Sequence, residues 1–291
     1  MTKGRFAPSP TGRMHLGNVF SALLSWLSIK SQGGKWLLRI EDIDPQRSKQ
    51  QYADQIMQDL EWLGLTWDEG PYYQSHRSDI YEEYLERLRK QGLLYPSYKT
   101  RAERLAVSAP QEQTASPNPS EGRGEEEGMG LPALSLHVSD SIVTYEDVHY
   151  GKQMVDIKND IGDFIVRRRD GAWAYQLAVV VDDALMGVTE VVRGRDLLQS
   201  AGQQIYLGGL LGFPRMTYAH LPLLCNEAGQ RLSKRDKSMD LGQLKEHSSA
   251  EEIIGKLAYL SHLTDKYEPC RPHDLLPLFD WKKIPLNNIT V

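Results

Sequence analysis

Two stretches far apart in the chain hold residue types that suit phosphate chemistry. The first, residues 4–18, reads Gly-Arg-Phe-Ala-Pro-Ser-Pro-Thr-Gly-Arg-Met-His-Leu-Gly-Asn. A short apolar entry, Phe6 and Ala7, meets Pro8 and Pro10, which cannot sit inside a central strand or a helix. Thr11-Gly12 turns the chain, and His15, Gly17 and Asn18 precede an apolar run over 19–29 with helical spacing. The pattern predicts a strand, a stiff loop and a helix start. Free N–H groups and the positive dipole end of a helix start suit phosphate. Gly17 would let a flat ring lie on the backbone. His15 can donate to a phosphate oxygen, and Asn18 can cap the helix or touch a ligand. The second stretch, 230–238, reads Gln-Arg-Leu-Ser-Lys-Arg-Asp-Lys-Ser, with four cations in nine residues. A lysine on such a loop can close over a polyphosphate and stabilise charge in nucleotidyl transfer. Singly, the first stretch also reads as a capped turn and the second as a solvated charged loop.

The elements that must position these stretches follow a strand–helix alternation. The first helix stops at Gln32-Gly33-Gly34. Lys35–Ile40 reads as a strand ending in Glu41-Asp42-Ile43-Asp44-Pro45, and open α/β sheets place ligands at such strand ends. Residues 50–63 and 79–91 read as amphipathic helices, which completes a βαβ pattern and predicts a parallel sheet. Residues 93–101 read as a short extended piece. Over 106–130 the composition is Ala, Ser, Pro, Gln, Asn, Gly and Glu without an apolar period, which predicts a mobile, disordered-looking loop. Strands are expected at 142–145 and 164–168, with a hairpin turn at Asp170-Gly171 and a return strand at 173–175. The wholly apolar run 177–181 should be buried up to Asp182-Asp183, which read as structural. A strand at 188–192 ends at Arg193-Gly194, a helix capped by Asp196 spans 196–211, and a last apolar strand covers 218–224. Helical pieces are expected near 250–263.

Length and composition bound the class. A chain of 291 residues makes one large or two modest domains, and 40% hydrophobic with 25% charged residues is ordinary for a globular protein. A net charge of −5 excludes a molecule that binds nucleic acid through its overall charge, while leaving room for a local basic face. Cys225 and Cys270 are too few for a cysteine-rich metal site and read as free thiols. No secretory leader and no membrane span are expected, which points to the cytoplasm.

Taken together, the motifs resemble the class I aminoacyl-tRNA synthetases. His15-Leu16-Gly17-Asn18, after Pro8, resembles their HIGH signature, and Arg231-Leu232-Ser233-Lys234-Arg235 their KMSKS signature. Arg5-Phe6-Ala7-Pro8-Ser9-Pro10-Thr11-Gly12, Ile40 to Arg47, Tyr175 to Asp183 and Val188 to Asp196 are similar to the glutamate-activating branch. The resemblance covers roughly residues 4–265, with 106–130 unmatched. Fewer than sixty residues follow Lys234, too few for a large anticodon-reading domain. Ile-Glu-Asp-Ile-Asp-Pro and Val-Thr-Glu-Val-Val-Arg-Gly look more like the shortened paralogue family, the glutamyl-Q tRNA(Asp) synthetases.

That resemblance implies an α/β fold: a Rossmann-like parallel sheet with an inserted acceptor-binding-like subdomain and a short helical C-terminal segment. The expected division is 1–93 and 171–240 for the two halves of the catalytic domain, 94–170 for the insertion and 241–291 for the C-terminal segment. The implied activity is ATP-dependent activation of glutamate and its transfer to queuosine at the wobble position of tRNA(Asp). Arg5, Ser9, Glu41, Tyr175 and Arg193 are the implied glutamate residues. Pro8, His15, Gly17, Asn18, Arg231, Leu232, Ser233, Lys234 and Arg235 are implied for ATP, with His15 and Lys234 catalytic. Magnesium is expected with the nucleotide, without a named protein ligand, and a monomer is expected. Many members of the wider family carry a zinc-binding Cys-x-Cys where this chain has Ser97-Tyr98-Lys99, so no zinc is expected. A synthetase charging a tRNA 3′ end, a cofactor adenylyltransferase and a non-enzymatic RNA-binding module remain the alternatives.

Overall fold

The structure is a computed structural model and describes residues 1–98, 132–232 and 239–291. The expected loop at 106–130, and Ser233, Lys234 and Arg235, lie outside the described residues. The chain begins with β1 (Lys3–Phe6), α1 (Leu16–Ser31), β2 (Lys35–Ile40), α2 (Gln50–Trp62), β3 (Glu69–Tyr73), α3 (Ser78–Lys90) and β4 (Leu94–Ser97). It continues with β5 (Ala133–Leu136), β6 (Ile142–Asp147), β7 (Gly151–Asp156), β8 (Phe164–Arg167), α4 (Tyr175–Leu185) and β9 (Glu190–Gly194). Then come α5 (Leu198–Leu210), β10 (Thr217–Leu221), β11 (Leu224–Cys225), α6 (Leu241–Leu244), α7 (Ala250–Leu260) and β12 (Ile289–Thr290).

Strands β1, β2 and β3 form a parallel sheet in that order, with Arg5 opposite Leu37 and Phe6 opposite Leu38. On the free side of β1 runs β9, tied by Thr189 N–H donating to the Lys3 carbonyl at 2.8 Å. Strand β9 pairs in parallel with β10, which meets β6 at Tyr218 and Asp147; β7 returns antiparallel on β6. A separate antiparallel sheet has the order β4-β5-β8, and β11 pairs with β12. One core packs α1 through Val19, Phe20, Leu23 and Leu27 with Trp36 and Leu38 of β2 and Ile254 and Leu257 of α7. A second packs Leu177 and Val181 of α4 with Tyr81 and Leu85 of α3 and Ala201 of α5. Truncating such buried leucines typically costs about 2–5 kcal/mol.

Several expectations are corrected. The helix expected over 19–29 begins three residues earlier; His15 is its N-cap residue, and Asn18 completes the cap by accepting from the His15 backbone N–H. The hairpin turn at Asp170-Gly171 forms, but the return stretch makes only a bridge between Trp173 and Arg167. Tyr175 opens α4 instead, because an all-apolar run carries no period to separate a buried helix from a strand. Asp196 caps nothing: a 3-10 turn, Arg195–Leu197, precedes α5. The strand expected over 218–224 breaks at Pro222 into β10 and β11. Strand β3 has no counterpart among the expected elements, since Gly70-Pro71 reads as a breaker. The C-terminal part carries β12 besides its helices.

Candidate active site

The carboxyl ends of β1, β2 and β9 open onto one cleft of about 500 Å³, within the range of small-molecule sites. The loop after β1 forms one wall. It is stitched to the loop after β2 by Glu41 N–H donating to the Pro8 carbonyl and Lys49 N–H to the Pro10 carbonyl, both at 3.0 Å. The N-terminus of α1 forms the adjoining edge. There His15 Nδ1 accepts from Gly17 N–H at 3.1 Å, and Asn18 Oδ1 accepts from His15 N–H at 3.0 Å. The two side chains cap the helix reciprocally, and the bond to Nδ1 assigns the ring proton of neutral His15 to Nε2.

Pro8, His15, Asn18 and Arg231 line the cleft with Arg5, Ser9, Glu41, Tyr175 and Arg193. Gly17 and Leu232 line a smaller recess that shares His15, Asn18 and Arg231 with it. Arg231 is ion-paired with Asp196 at its rim. A Cβ on Gly17 would meet the His15 ring at 3.0 Å, so a side chain there would crowd the ring.

Beneath the cleft lies a buried ionic network that the sequence reading missed. Arg39, wholly buried in β2, reaches Asp183 Oδ1 at 2.6 Å and Glu41 Oε1 at 3.1 Å. Arg5 Nε sits 3.3 Å from both oxygens of Asp183. Asp182 accepts from Arg77 at 2.6 Å, Tyr81 Oη at 2.7 Å and Gln74 at 2.8 Å. Burial opposes the charge on Arg39, but Asp183, Glu41 and Asp182 overcome it and hold the guanidinium protonated. Burial pushes the Glu41 carboxyl up from its ordinary value, with Arg39 and Arg5 opposing. For Asp183 burial is outweighed by Arg39 and Arg5, and its carboxyl is held below the usual range. Asp182 and Asp183 stand near the end of a helix and not in a turn. The signal was Arg39 itself: a charge inside the apolar strand Trp-Leu-Leu-Arg-Ile requires buried partners.

Arg193 is held differently. Its Nε donates to His220 Nε2 at 3.2 Å, and its Nη1 donates to Gln204 Oε1 at 2.8 Å and lies 3.4 Å from Tyr175 Oη. Nη2 donates to the Leu197 carbonyl at 3.2 Å. Besides Arg13 and Arg231, the cleft therefore presents the guanidinium groups of Arg5 and Arg193, the raised-pKa carboxyl of Glu41 and the Tyr175 hydroxyl beside a helix N-terminus. This set can receive a small molecule with two carboxylates and an ammonium next to a phosphate. Among the described residues no group of three His, Cys, Asp or Glu side chains is placed to hold a metal ion, and no helix is long and apolar enough to cross a membrane.

Comparison with known proteins gives the same direction. Residues 1–266 match the family model described as tRNA synthetases class I (E and Q), catalytic domain. The chain is 45% identical to the glutamyl-Q tRNA(Asp) synthetase of Symbiobacterium thermophilum, over 100% of this chain and 96% of that protein. It is 42% identical to the protein of that name from Nitratidesulfovibrio vulgaris, over 98% and 94%. Among solved structures it superposes on a glutamate tRNA ligase from Elizabethkingia meningosepticum, in complex with its amino acid, with a TM-score of 0.80 and 28% identity. That match spans 99% of this chain and 66% of the ligase. A glutamate-tRNA synthetase from Elizabethkingia anophelis gives a TM-score of 0.81 at 28% identity, over 100% and 68%. The fold is thus Rossmann-like, and the chain belongs to the class I tRNA synthetases (E and Q), in the branch of the glutamyl-Q tRNA(Asp) synthetases, as a ligase-type enzyme.

Proposed function

We propose that the chain activates glutamate with ATP and esterifies it to the cyclopentenediol of queuosine at the wobble position of tRNA(Asp). One observation carries the activation step: Arg5, Glu41, Tyr175 and Arg193 line a single cleft with His15 and Asn18 at its phosphate-suited edge. The names of the relatives support the acceptor.

In this reading Arg193 and Arg5 take the two carboxylates of glutamate and Glu41 takes the ammonium, with Ser9 and Tyr175 adding neutral hydrogen bonds. Pro8, His15, Gly17 and Asn18 hold the nucleotide, His15 donating from Nε2 to a phosphate oxygen. Arg231, Leu232, Ser233, Lys234 and Arg235 are assigned to ATP in the same reading. A substrate carboxylate oxygen attacks the α-phosphorus, the bond to the bridging oxygen breaks, and pyrophosphate leaves. Lys234 stabilises the charge that develops there. A hydroxyl of the cyclopentenediol then attacks the glutamyl carbonyl, loses its proton and releases AMP. The protein supplies position and charge, not a nucleophile. Magnesium would enter on the phosphate oxygens and neutralise their charge.

The reading is tested by transfer of labelled glutamate, with ATP, to tRNA(Asp) with and without queuosine. Label should appear only on the modified RNA, even when its 3′ end is blocked. Label on unmodified tRNA that vanishes when the 3′ end is blocked would replace this acceptor with the tRNA 3′ end.

A further inference from the structure

Arg5 and Arg193 both line the cleft, and the partners of their Nε atoms differ in charge. Arg5 Nε faces the carboxylate of Asp183, which also serves Arg39. Arg193 Nε faces an imidazole. His220 is wholly buried in β10, directly opposite Arg193 of β9 in the parallel register. Its Nδ1 lies 2.6 Å from Asp147 Oδ2, on β6. Asp147 is itself fixed: its Oδ1 accepts the backbone N–H groups of Tyr150 at 2.9 Å, His149 at 3.1 Å and His220 at 3.3 Å.

This chain of bonds sets the tautomer. A carboxylate can only accept, so Nδ1 carries the proton and Nε2 is left to accept from Arg193. Burial, with Arg193 beside it, lowers the imidazole pKa against the pull of Asp147, and the ring stays neutral. A neutral acceptor fixes the guanidinium without cancelling its charge. A carboxylate at that place would pair with it and weaken its attraction for an incoming anion. Gln204, Tyr175 and the Leu197 carbonyl, which hold the Nη atoms, are likewise uncharged. Arg193 is thus aimed by four neutral partners and keeps its charge for the ligand.

We propose that His220, oriented by Asp147, is a positioning residue that aims Arg193 and preserves its charge for a carboxylate of the amino-acid substrate. The proposal rests on the glutamate-activation reading above. Neither residue touches substrate; both act through Arg193.

The experiment uses the full chain with His220→Gln and His220→Asn. A Gln places an acceptor where Nε2 stands, whereas an Asn keeps a donor to Asp147 but removes the acceptor. Glutamate KM, ATP KM and kcat are read in ATP–pyrophosphate exchange without RNA, and the Arg193 Nε–H resonance in an NMR spectrum of labelled protein. His220→Asn should raise the glutamate KM about tenfold or more while ATP KM stays within about twofold, and His220→Gln should recover most of that loss. The Nε–H signal should be shifted and slow to exchange in the wild type and in His220→Gln, and lost in His220→Asn. Equal glutamate KM values for the two variants, or an ATP KM that moves as far as the glutamate KM, would overturn the proposal. If His220→Asn does not fold, a glutamate KM for His220→Gln as high as that of Arg193→Ala overturns it, and one near wild type supports it. If the wild type shows no glutamate-dependent exchange, the activation reading falls, and the Nε–H signal alone decides whether His220 holds Arg193.

Discussion

Glu41 gives the cleft its pH signature. Burial raises its carboxyl above the ordinary 4.5, so it ionises later than a surface glutamate as pH rises. Only the ionised form can pair with an ammonium group. The glutamate KM should therefore fall as pH rises from the acid side through that raised pKa, and Glu41→Gln should abolish the trend while raising the KM. A wild-type KM that is flat over this range would remove Glu41 from the ammonium site. Arg193→Ala should raise the glutamate KM by roughly 10- to 100-fold, the loss expected for a hydrogen-bonded charge pair; an unchanged KM would exclude Arg193 from the substrate site. For Lys234→Ala, adenylate formation should drop by roughly 10²–10³-fold with an unchanged thermal unfolding midpoint, and near-normal turnover would refute its role. At this scale the sequence pointed to Arg5, Pro8, Ser9, His15, Asn18, Glu41, Tyr175, Arg193 and Arg231 of the cleft lining, because each sits in a motif, but not to Arg13, Met14, Ile56 or Leu197. It hid their supports. Arg39, His220 and Asp147 are single polar residues within or ending strands, and only the register shows that His220 stands opposite Arg193.

Among elements, β2 and α4 are bound to each other by charge. Arg39 of the strand meets Asp183 of the helix, and Asp182 one residue earlier meets Arg77 and Tyr81. Replacing Arg39 by Met would leave Asp183 and Glu41 buried with less compensation. Removing one partner of such a pair costs about 3–5 kcal/mol, so urea unfolding of Arg39→Met should show a loss of that size. A loss below about 1 kcal/mol, the range of exposed pairs, would show that the carboxylates reach water. The helices α2 and α3 were legible because their apolar residues recur with helical period on one face. Helix α4 was not, since 177–181 is apolar on every side, and its burial was readable while its helicity was not. Strand β3 was masked by Gly70-Pro71, although Tyr72 and Tyr73 pair with Arg39 and Ile40 of β2.

At the scale of the molecule, the βαβ alternation announced a parallel sheet, and β1, β2 and β3 form one. The joining of β6 and β7 to β10 was not announced, because pairing between segments seventy residues apart leaves no local trace. Residues 106–130 have no apolar period to contribute to a core. Deleting 110–128 should leave adenylate formation and the unfolding midpoint intact, and collapse of the fold would show that an ordered element had been removed. The central claim is that this cleft activates glutamate by itself. ATP–pyrophosphate exchange, run over the standard amino acids with no RNA present, measures it most directly. Exchange with glutamate alone is the predicted result; exchange that requires tRNA, or that prefers another amino acid, would contradict it.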